Sequence, residues 1–315
     1  MNLQQLEYIV ALDTWRHFST AAEKCNVTQP TLSMMIQRLE DELDVKIFDR
    51  SKQPVVTTAI GDKIIEQARV VLNETTQMKN LVRDQKNEAQ GELHVGIIPT
   101  VAPYLLPLFL HDFLSKYPNV RLKISELTTD QIISHLEKQQ MDAAILATPL
   151  KNPSIKEFPL FYEQFVVYAS AEEKMMKKKY LLAEDINVNH LWLLEEGHCL
   201  REQVVNLCEL KRKETLLQNL DYQAGSIETL RKMVDINNGI TILPELALRD
   251  LSTKQKKNIR YFKPPAPVRE VSIVTYRYFV KYHLIDLLKN EIIKNIPAPM
   301  LSPDRKQITE LDKRK

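Results

Sequence analysis

The stretch Thr28-Gln29-Pro30-Thr31-Leu32-Ser33 decides the fold of the first sixty residues. Thr28 is a favoured residue for capping a helix, and Pro30 would lie in the first turn, where proline is tolerated. Apolar residues upstream recur every three to four positions and predict two earlier helices. A short connection at 25–28 separates the second helix from the third. Two short helices joined by a tight turn constitute a helix-turn-helix.

The start of the third helix carries uncharged side chains that suit contact with DNA. Thr, Gln and Ser side chains hydrogen-bond to base edges or phosphates in a major groove. Strands predicted at 45–48 and 55–57 would form a wing that contacts the flanking phosphates. The residues predicted to contact DNA are Thr28, Gln29, Pro30, Thr31, Ser33, Arg38, Arg50 and Lys52.

A long amphipathic helix is predicted from Ala59 to about residue 88, a span without proline. Its apolar stripe consists of Ile64, Ile65, Ala68, Val71, Leu72, Met78 and Leu81. A lone long helix of this kind usually buries its stripe against a partner, so we expect a second copy of the chain there.

The remaining two hundred residues alternate strands with helices. Predicted strands lie at 94–98, 120–127, 143–147, 165–170, 191–196, 220–223, 240–244 and 271–276, and predicted helices at 104–115, 130–139, 226–235 and 282–294. This alternation predicts an α/β domain with mainly parallel sheets. Ligands in such folds bind at the carboxyl ends of strands, so Thr100 and Thr129 are expected to face one cleft.

The composition is that of an ordinary globular protein with two or more domains. The chain has 315 residues, of which 44% are hydrophobic and 27% charged, and its net charge of +2 says little about partners. Three cysteines make no disulfide framework, so we expect a reducing cytoplasm. The N-terminus does not read as a signal peptide, and we predict no membrane span, metal site or cofactor.

Two of the three cysteines lie nine positions apart around a predicted short helix. Leu200, Val204 and Cys208 repeat every four residues and predict one buried stripe. In a helix the sulfurs of Cys199 and Cys208 would lie on opposite faces, about 13 Å apart along the axis. A disulfide requires Cα atoms within about 7 Å, so the pair can bond only if the helix unwinds. Such a pair is suited to a redox switch.

Two interpretations of these cysteines are open at this point. Free cysteine is often a small, buried and inert hydrophobe. Cys199, however, follows His198, precedes Arg201 and starts the predicted helix, and these features favour a thiolate and a lowered pKa. Cys208 is predicted to be more buried and less reactive. A salt bridge from Arg201 to a neighbouring glutamate is as good an interpretation of that arginine as thiol activation.

The chain resembles the LysR-type transcriptional regulators. The matching residues are Leu6, Phe18, Ala21, Ala22, Val27, the stretch 28–33, Ile36, Leu39, Glu40, Leu43, Phe48, Arg50, Thr57, Thr58 and Gly61. The resemblance implies an all-α winged helix-turn-helix at 1–59, a linker and dimerisation helix at 60–90, and an α/β regulatory domain at 91–297. That domain would consist of two hinged subdomains like those of periplasmic binding proteins. We expect 298–315 to be a disordered tail.

The same resemblance implies the partners of the chain. They are double-stranded DNA with an inverted-repeat operator, a second copy in a homodimer or homotetramer, and RNA polymerase. Across 96–101, 103–107, 195–201 and 226–231 the chain is most similar to peroxide-responsive members of the family. That similarity implies oxidation of Cys199 by hydrogen peroxide to a sulfenic acid, then a disulfide with Cys208 that changes the DNA contacts. The residues expected to bind peroxide or activate the thiolate are Thr100, Thr129, His198, Arg201 and Arg269.

Two other functions stay open. The first is a regulator that binds a small organic effector in the cleft between the subdomains. The second is a thiol peroxidase, but the Pro-x-x-x-Thr-x-x-Cys run usual in those enzymes is absent. We therefore predict that the chain is not an enzyme.

Overall fold

The computed structural model describes residues 1–84, 89–208, 224–277, 282–302 and 307–308. The described residues form two compact units, one ending at residue 84 and the other beginning at residue 89. Among these residues no helix combines the length and the apolar character needed to cross a membrane.

The first unit is a helix-turn-helix with a short two-stranded wing. Its elements are α1 (Leu3–Trp15), α2 (Phe18–Lys24), α3 (Gln29–Leu43), β1 (Phe48–Asp49), β2 (Val56–Thr57) and α4 (Ala59–Asp84). Thr28 caps α3 by accepting the backbone N–H of Thr31 at 3.4 Å, and Pro30 lies in the first turn. Strands β1 and β2 pair antiparallel. The predicted helix-turn-helix and wing are confirmed.

A buried carboxylate joins the wing to α3. Glu40 is 1% exposed, and its Oε1 accepts the backbone N–H groups of Ile47 at 2.8 Å and Phe48 at 3.1 Å. A buried charge is stable only when it is paired and hydrogen-bonded. Glu40 meets that condition, because Arg50 also donates to its Oε2 at 3.0 Å.

The apolar stripe of α4 is divided between two environments. Ile65 and Ala68 are buried in the core of the same unit, and Arg69 pairs with Asp13 of α1 at 2.7 Å. Met78 is 70% exposed. The prediction that the whole stripe packs on a second copy is therefore wrong for its first half, because α1 of the same chain covers that half. The side chain of Leu81 lies outside the described residues.

The second unit is an α/β domain. Its strands are β3 (Gly91–Ile97), β4 (Val120–Glu126), β5 (Ala143–Thr148), β6 (Ile155–Ala169), β7 (Tyr180–Leu181), β8 (Ile240–Pro244), β9 (Ile259–Phe262), β10 (Pro267–Tyr276) and β11 (Gln307–Ile308). Its helices are α5 (Ala102–Lys116), α6 (Thr129–Glu137), α7 (Cys199–Leu207), α8 (Ile227–Asn237), α9 (Thr253–Lys256) and α10 (Tyr282–Asn295). The predicted alternation of strands and helices is confirmed.

The sheet is mixed, whereas the sequence predicts mainly parallel pairing. Strands run in the order β4-β3-β5-β10-β6-β9-β7, with β8 also paired to β6 and β11 to β10. Strand β10 inserts between β5 and β6 and runs antiparallel to both. The prediction fails because a run of apolar residues marks a buried strand without giving its direction. Strand β6 continues past β10 to pair with β8 and β9, so it joins the two halves of the domain.

One predicted strand and part of the predicted tail differ from expectation. Residues 191–196 make two isolated bridges, Leu191 to Ile240 and Leu194 to Ala224, while 220–223 lie outside the described residues. The disorder expected for 298–315 does not hold at Ala298–Met300, which forms a 3-10 turn with Met300 buried. Strand β11 pairs with the start of β10.

Candidate functional site

Cys199 is the first residue of α7, as the sequence predicts for a helix in this segment. His198 occupies the cap position in an extended conformation, and Gly197 before it has φ +91°. A positive φ of this size favours glycine, which allows the chain to turn into the helix at this point. The Cys199 side chain is 5% exposed, and its thiol is free.

Four groups around the thiol stabilise its ionised form. They are the Arg269 guanidinium, the Thr129 hydroxyl, and the backbone of Ala147 and Leu200, each of which lowers the pKa of Cys199. Burial nevertheless dominates and raises this pKa above its ordinary value. The prediction of a lowered pKa is therefore wrong. The prediction considered only residues adjacent in the sequence, and these do not reveal how deeply the thiol is buried.

Thr129 is the first residue of α6, and its hydroxyl is aimed at the cysteine site. The cap of α6 is Thr128, whose backbone N–H in turn donates to Gln131 at 3.1 Å. Thr129 Oγ1 is buried, and no group among the described residues reaches it in full hydrogen-bond geometry. The Cys199 thiol lies close enough for Thr129 to lower its pKa. Because Thr128 occupies the cap position, the Thr129 hydroxyl is available to a ligand or to the thiolate.

Thr100 and Arg269 meet at the same site. Thr100 follows β3 and is 2% exposed. Arg269 on β10 is fully buried, and its guanidinium donates to Thr100 Oγ1 at 3.1 Å and to the Thr100 carbonyl at 3.0 Å. The structure thus brings Thr100, Thr129 and Arg269 into the neighbourhood of Cys199, from four separate elements or loops. A cation and two hydroxyls around a thiol can stabilise negative charge on sulfur or on an oxygen beside it.

Glu163 completes this cluster and is absent from the sequence prediction. It lies on β6 opposite Arg269 in the antiparallel register, is fully buried, and accepts Arg269 Nε at 2.6 Å. The one signal in the sequence is an acidic residue inside a strongly apolar strand. That signal does not identify its partner, because the arginine lies 106 positions away.

His198 and Arg201 have local partners. His198 is 6% exposed, and its Nε2 lies 3.5 Å from Oε1 of Glu195. Arg201 donates to the backbone carbonyl of Leu194 at 2.7 Å. Neither interpretation of Arg201, thiol activation or a salt bridge to glutamate, matches this contact. The contact instead fixes α7 to the segment that precedes it.

Cys208 occupies the opposite end of α7 as its C-terminal cap. It is partly exposed, and burial raises the pKa of its thiol to about 12. Cys199 is therefore the more buried of the two, contrary to the prediction. The predicted helix between the two cysteines is confirmed, and nine residues of helix separate them by about 13 Å along the axis.

The predicted DNA-contacting residues cluster at the start of α3 and on the wing. Thr28, Gln29 and Pro30 are exposed, Thr31 and Ser33 are partly exposed, and Arg38 and Lys52 are exposed. The Thr28 and Thr31 hydroxyls lie 2.8 Å apart and share one hydrogen bond. This arrangement leaves the α3 start polar, accessible and free of carboxylates.

Arg50 is exposed but tied to its own unit. Besides its ion pair with Glu40, it donates to Ser33 Oγ at 3.4 Å and stacks over the Phe18 ring at 5.5 Å. Lys52 is held only loosely, at 3.9 Å from Asp49. Within the described parts of the chain, no three His, Cys, Asp or Glu side chains converge to hold a metal ion.

Comparison with known families covers both units. Residues 3–62 match the model of the bacterial regulatory helix-turn-helix protein, LysR family. Residues 86–278 match the model of the LysR substrate binding domain.

Individual relatives match over most of their length. A Haemophilus influenzae protein named hydrogen peroxide-inducible genes activator is 37% identical over 276 residues, which is 87% of this chain and 90% of that protein. The DNA-binding transcriptional dual regulator OxyR of Escherichia coli K12 is 35% identical over 277 residues, 87% of this chain and 89% of that protein. A solved structure of a full-length OxyR variant from Pseudomonas aeruginosa superposes with a TM-score of 0.76 and 35% identity, covering 94% of this chain and 99% of that one.

Proposed function

This chain belongs to the LysR family of transcriptional regulators, and we propose that it regulates transcription in response to hydrogen peroxide, sensed by Cys199. The observation that carries the proposal is the environment of the thiol. Cys199 starts α7 with the Arg269 cation, the Thr129 hydroxyl and two backbone groups each stabilising its ionised form. The similarity to proteins named for hydrogen peroxide-inducible genes supports the same function.

The packing of the site favours a very small reactant. Thr100, Cys199 and Arg269 are exposed by 2%, 5% and 0% of their surface. An organic effector would have to open this packing to reach the sulfur, whereas hydrogen peroxide is close to water in size. Each peroxide oxygen can both donate and accept hydrogen bonds, which suits the unpartnered hydroxyl of Thr129.

The first step is oxidation of Cys199 by peroxide. The thiolate attacks one peroxide oxygen, the O–O bond breaks, and hydroxide leaves while the sulfur becomes a sulfenic acid. Thr100 Oγ1 accepts from Arg269, so its own hydrogen is directed away from Arg269 and can donate to the departing oxygen. Donors that are fixed before the reaction stabilise this charge without reorganising. His198, which precedes Cys199 at the cap position of α7, is a further candidate donor, while Arg201 acts by holding α7 in place.

The second step is disulfide formation with Cys208. The Cys208 sulfur attacks the sulfenic sulfur, the S–O bond breaks, and the oxygen leaves as water. The two cysteines occupy opposite ends of α7, so the helix must unwind before their sulfurs can bond. We infer that this refolding changes the packing of the regulatory domain and, through an oligomer, the DNA contacts. Return to the dithiol needs a compartment that reduces disulfides, so we propose the cytoplasm as the location of the chain.

We propose that α3 and the wing make the contacts with DNA. Thr28, Gln29, Thr31 and Ser33 would meet base edges in an inverted-repeat operator, and Arg38 and Lys52 would meet phosphates. Arg50 would contact phosphate while Glu40 holds its other face. Met78 in the second half of α4 is exposed, and we place the contact between copies in a dimer or tetramer around it. RNA polymerase is the partner that activation would require.

A small organic effector is the second candidate signal. A cavity of about 760 Å³ lies beside Trp192, Met175 and Met233, which is large enough for such a ligand. Cys199 does not line this cavity. If an effector binds in the cavity, a Cys199→Ser variant should therefore still respond to that effector. We propose that the chain does not turn over peroxide catalytically. Stoichiometric consumption of hydrogen peroxide would distinguish a regulator from a peroxidase.

The test measures thiol state and DNA footprint on the same sample. Reduced full-length protein first selects its binding site from a random DNA pool. One equivalent of hydrogen peroxide is then added, and the footprint and the peptide masses are recorded together. We expect a Cys199–Cys208 crosslink with a changed footprint, in the parent and in the control Cys25→Ser, and neither change in Cys199→Ser. Free thiols with an unchanged footprint would contradict the proposal.

A further inference from the structure

Glu163 is a buried acid that the chemistry above does not use. It is fully buried on β6, directly opposite Arg269 on β10. Its Oε1 accepts Arg269 Nε at 2.6 Å, and its Oε2 accepts the backbone N–H of Leu246 at 3.2 Å. Both carboxylate oxygens are therefore fixed, one by strand β10 and one by the turn after β8. These two contacts hold the Glu163 carboxylate in one orientation toward Arg269.

The pair fixes Arg269 from two sides. Nε and Nη2 face Glu163, while Nη1 and Nη2 also donate to Thr100. The guanidinium is planar, so binding on both edges fixes its plane and its distance from the Cys199 sulfur. Arg269 is the group that most strongly opposes the effect of burial on the Cys199 pKa. Whatever fixes or neutralises Arg269 therefore also sets the charge beside the thiol.

We infer that Glu163 is a positioning residue for the thiol site, which holds Arg269 against Thr100 and balances its charge so that Cys199 stays mainly a thiol at rest. The inference rests on the proposed function, for which Glu163 would set the level of peroxide that the protein detects. Glu163 acts through Arg269, because its Oε1 is bound to that guanidinium, which in turn lowers the pKa of Cys199.

Other ionisable groups among the described residues lie around this pair. Glu245, in the turn after β8, faces Glu163 and adds negative charge. His198 and its neighbour Glu195 lie on the α7 side, 3.5 Å apart. Burial raises the pKa of Glu163 above its ordinary value, and Arg269 opposes that rise. Without Arg269 the buried carboxyl would be protonated and neutral.

The test compares the pH dependence of Cys199 alkylation in matched variants. Full-length protein with Cys25→Ser and Cys208→Ser leaves Cys199 as its one thiol, and iodoacetamide reports the thiolate without peroxide. Glu163→Gln keeps the shape and removes the charge, so Arg269 is left unbalanced and the thiolate is favoured. We expect the midpoint of the profile to fall by about one pH unit, which is about tenfold faster alkylation at pH 7.

A double-variant cycle separates action through Arg269 from a general packing effect. In an Arg269→Gln background, adding Glu163→Gln should give no further shift, because the lone carboxyl is already neutral. Glu163→Asp keeps the charge but draws it back by one methylene, and a smaller shift to lower pH is expected. This variant supplies the test if Glu163→Gln does not fold.

Three results would overturn the inference. They are an unchanged profile, a shift to higher pH, or an equal shift with and without Arg269. If the proposed function is wrong, the DNA footprint will not respond to peroxide. The alkylation profiles would still report whether Glu163 acts on Cys199 through Arg269.

Discussion

The two ends of α7 hold the same functional group in opposite surroundings. Cys199 at the start is 5% exposed, while Cys208 at the end is only partly covered. Burial raises the pKa of both thiols, but at Cys199 an arginine, a hydroxyl and two backbone groups oppose the rise. At Cys208 burial acts alone and takes the pKa to about 12. The more accessible sulfur is therefore the less activated one.

If Cys199 is the sensing thiol, as we propose, exposure alone does not select the reactive cysteine. The nucleophile is the thiolate, so groups that stabilise sulfur charge matter more than a path to solvent. A buried and supported thiol also excludes large oxidants while it admits a molecule the size of peroxide. The proposed roles, Cys199 as the attacking thiol and Cys208 as the resolving thiol, rest on these surroundings. The first two variants below weaken the support of the Cys199 thiolate, and the third weakens the helix between the two sulfurs.

The largest effect is expected from Arg269→Gln, which removes the main charge that favours the Cys199 thiolate. The pKa of Cys199 should rise further, so at any pH below it the thiolate fraction falls. A rise of one to two units means alkylation about ten- to a hundredfold slower at pH 7. Iodoacetamide kinetics in the Cys25→Ser, Cys208→Ser background measure it. Arg260→Gln, which loses bonds to backbone carbonyls only, is the matched control and should leave the rate unchanged.

Thr129→Val should give the next largest effect. The valine fills the same volume but cannot donate to the thiolate or to peroxide, so sulfenic acid formation should slow by about fivefold, the loss of roughly one hydrogen bond. Thr128→Val is the matched control, one residue earlier. It removes a hydroxyl at the cap position of α6 but keeps the backbone N–H bond to Gln131, so the thiol kinetics should stay as in the parent. Equal slowing in both variants would refute the assignment of the Thr129 hydroxyl.

The smallest effect concerns the helix between the two sulfurs. Glu202 is exposed on α7, and Glu202→Gly should cost the helix about 1 kcal/mol relative to Glu202→Ala. If unwinding limits disulfide formation, the glycine variant should crosslink up to about fivefold faster than the alanine variant after sulfenic acid has formed. Stopped-time alkylation with mass spectrometry follows both steps. Identical crosslinking rates would show that unwinding does not limit the switch.

Features encoded by neighbouring residues were predictable from the sequence. The helix-turn-helix depends on the Thr28 cap, Pro30 and a short turn, all within a few positions. The helix between Cys199 and Cys208 follows from three apolar residues at spacing four. These signals are local, so their structural consequence does not depend on the rest of the fold.

Features set by distant pairings were not predictable. The Arg269–Glu163 ion pair joins residues 106 positions apart, and it exists because β10 inserts antiparallel beside β6. The burial of Cys199 has the same origin, since Thr129, Ala147 and Arg269 reach it from three separate elements. A pattern in one segment carries no information on which strand will lie beside it. The direction of the Cys199 pKa shift was therefore predicted with the wrong sign.

The most direct test of the account is the rate at which peroxide oxidises each thiol in isolation. Full-length Cys25→Ser, Cys208→Ser protein presents Cys199 alone, and Cys25→Ser, Cys199→Ser protein presents Cys208 alone. Dimedone traps the sulfenic acid, and mass spectrometry gives the second-order rate constant at pH 7. The account predicts that Cys199 reacts at least about a hundredfold faster, as expected if only that site stabilises both the thiolate and the departing hydroxide. Equal rates, or faster oxidation of the more exposed Cys208, would contradict it.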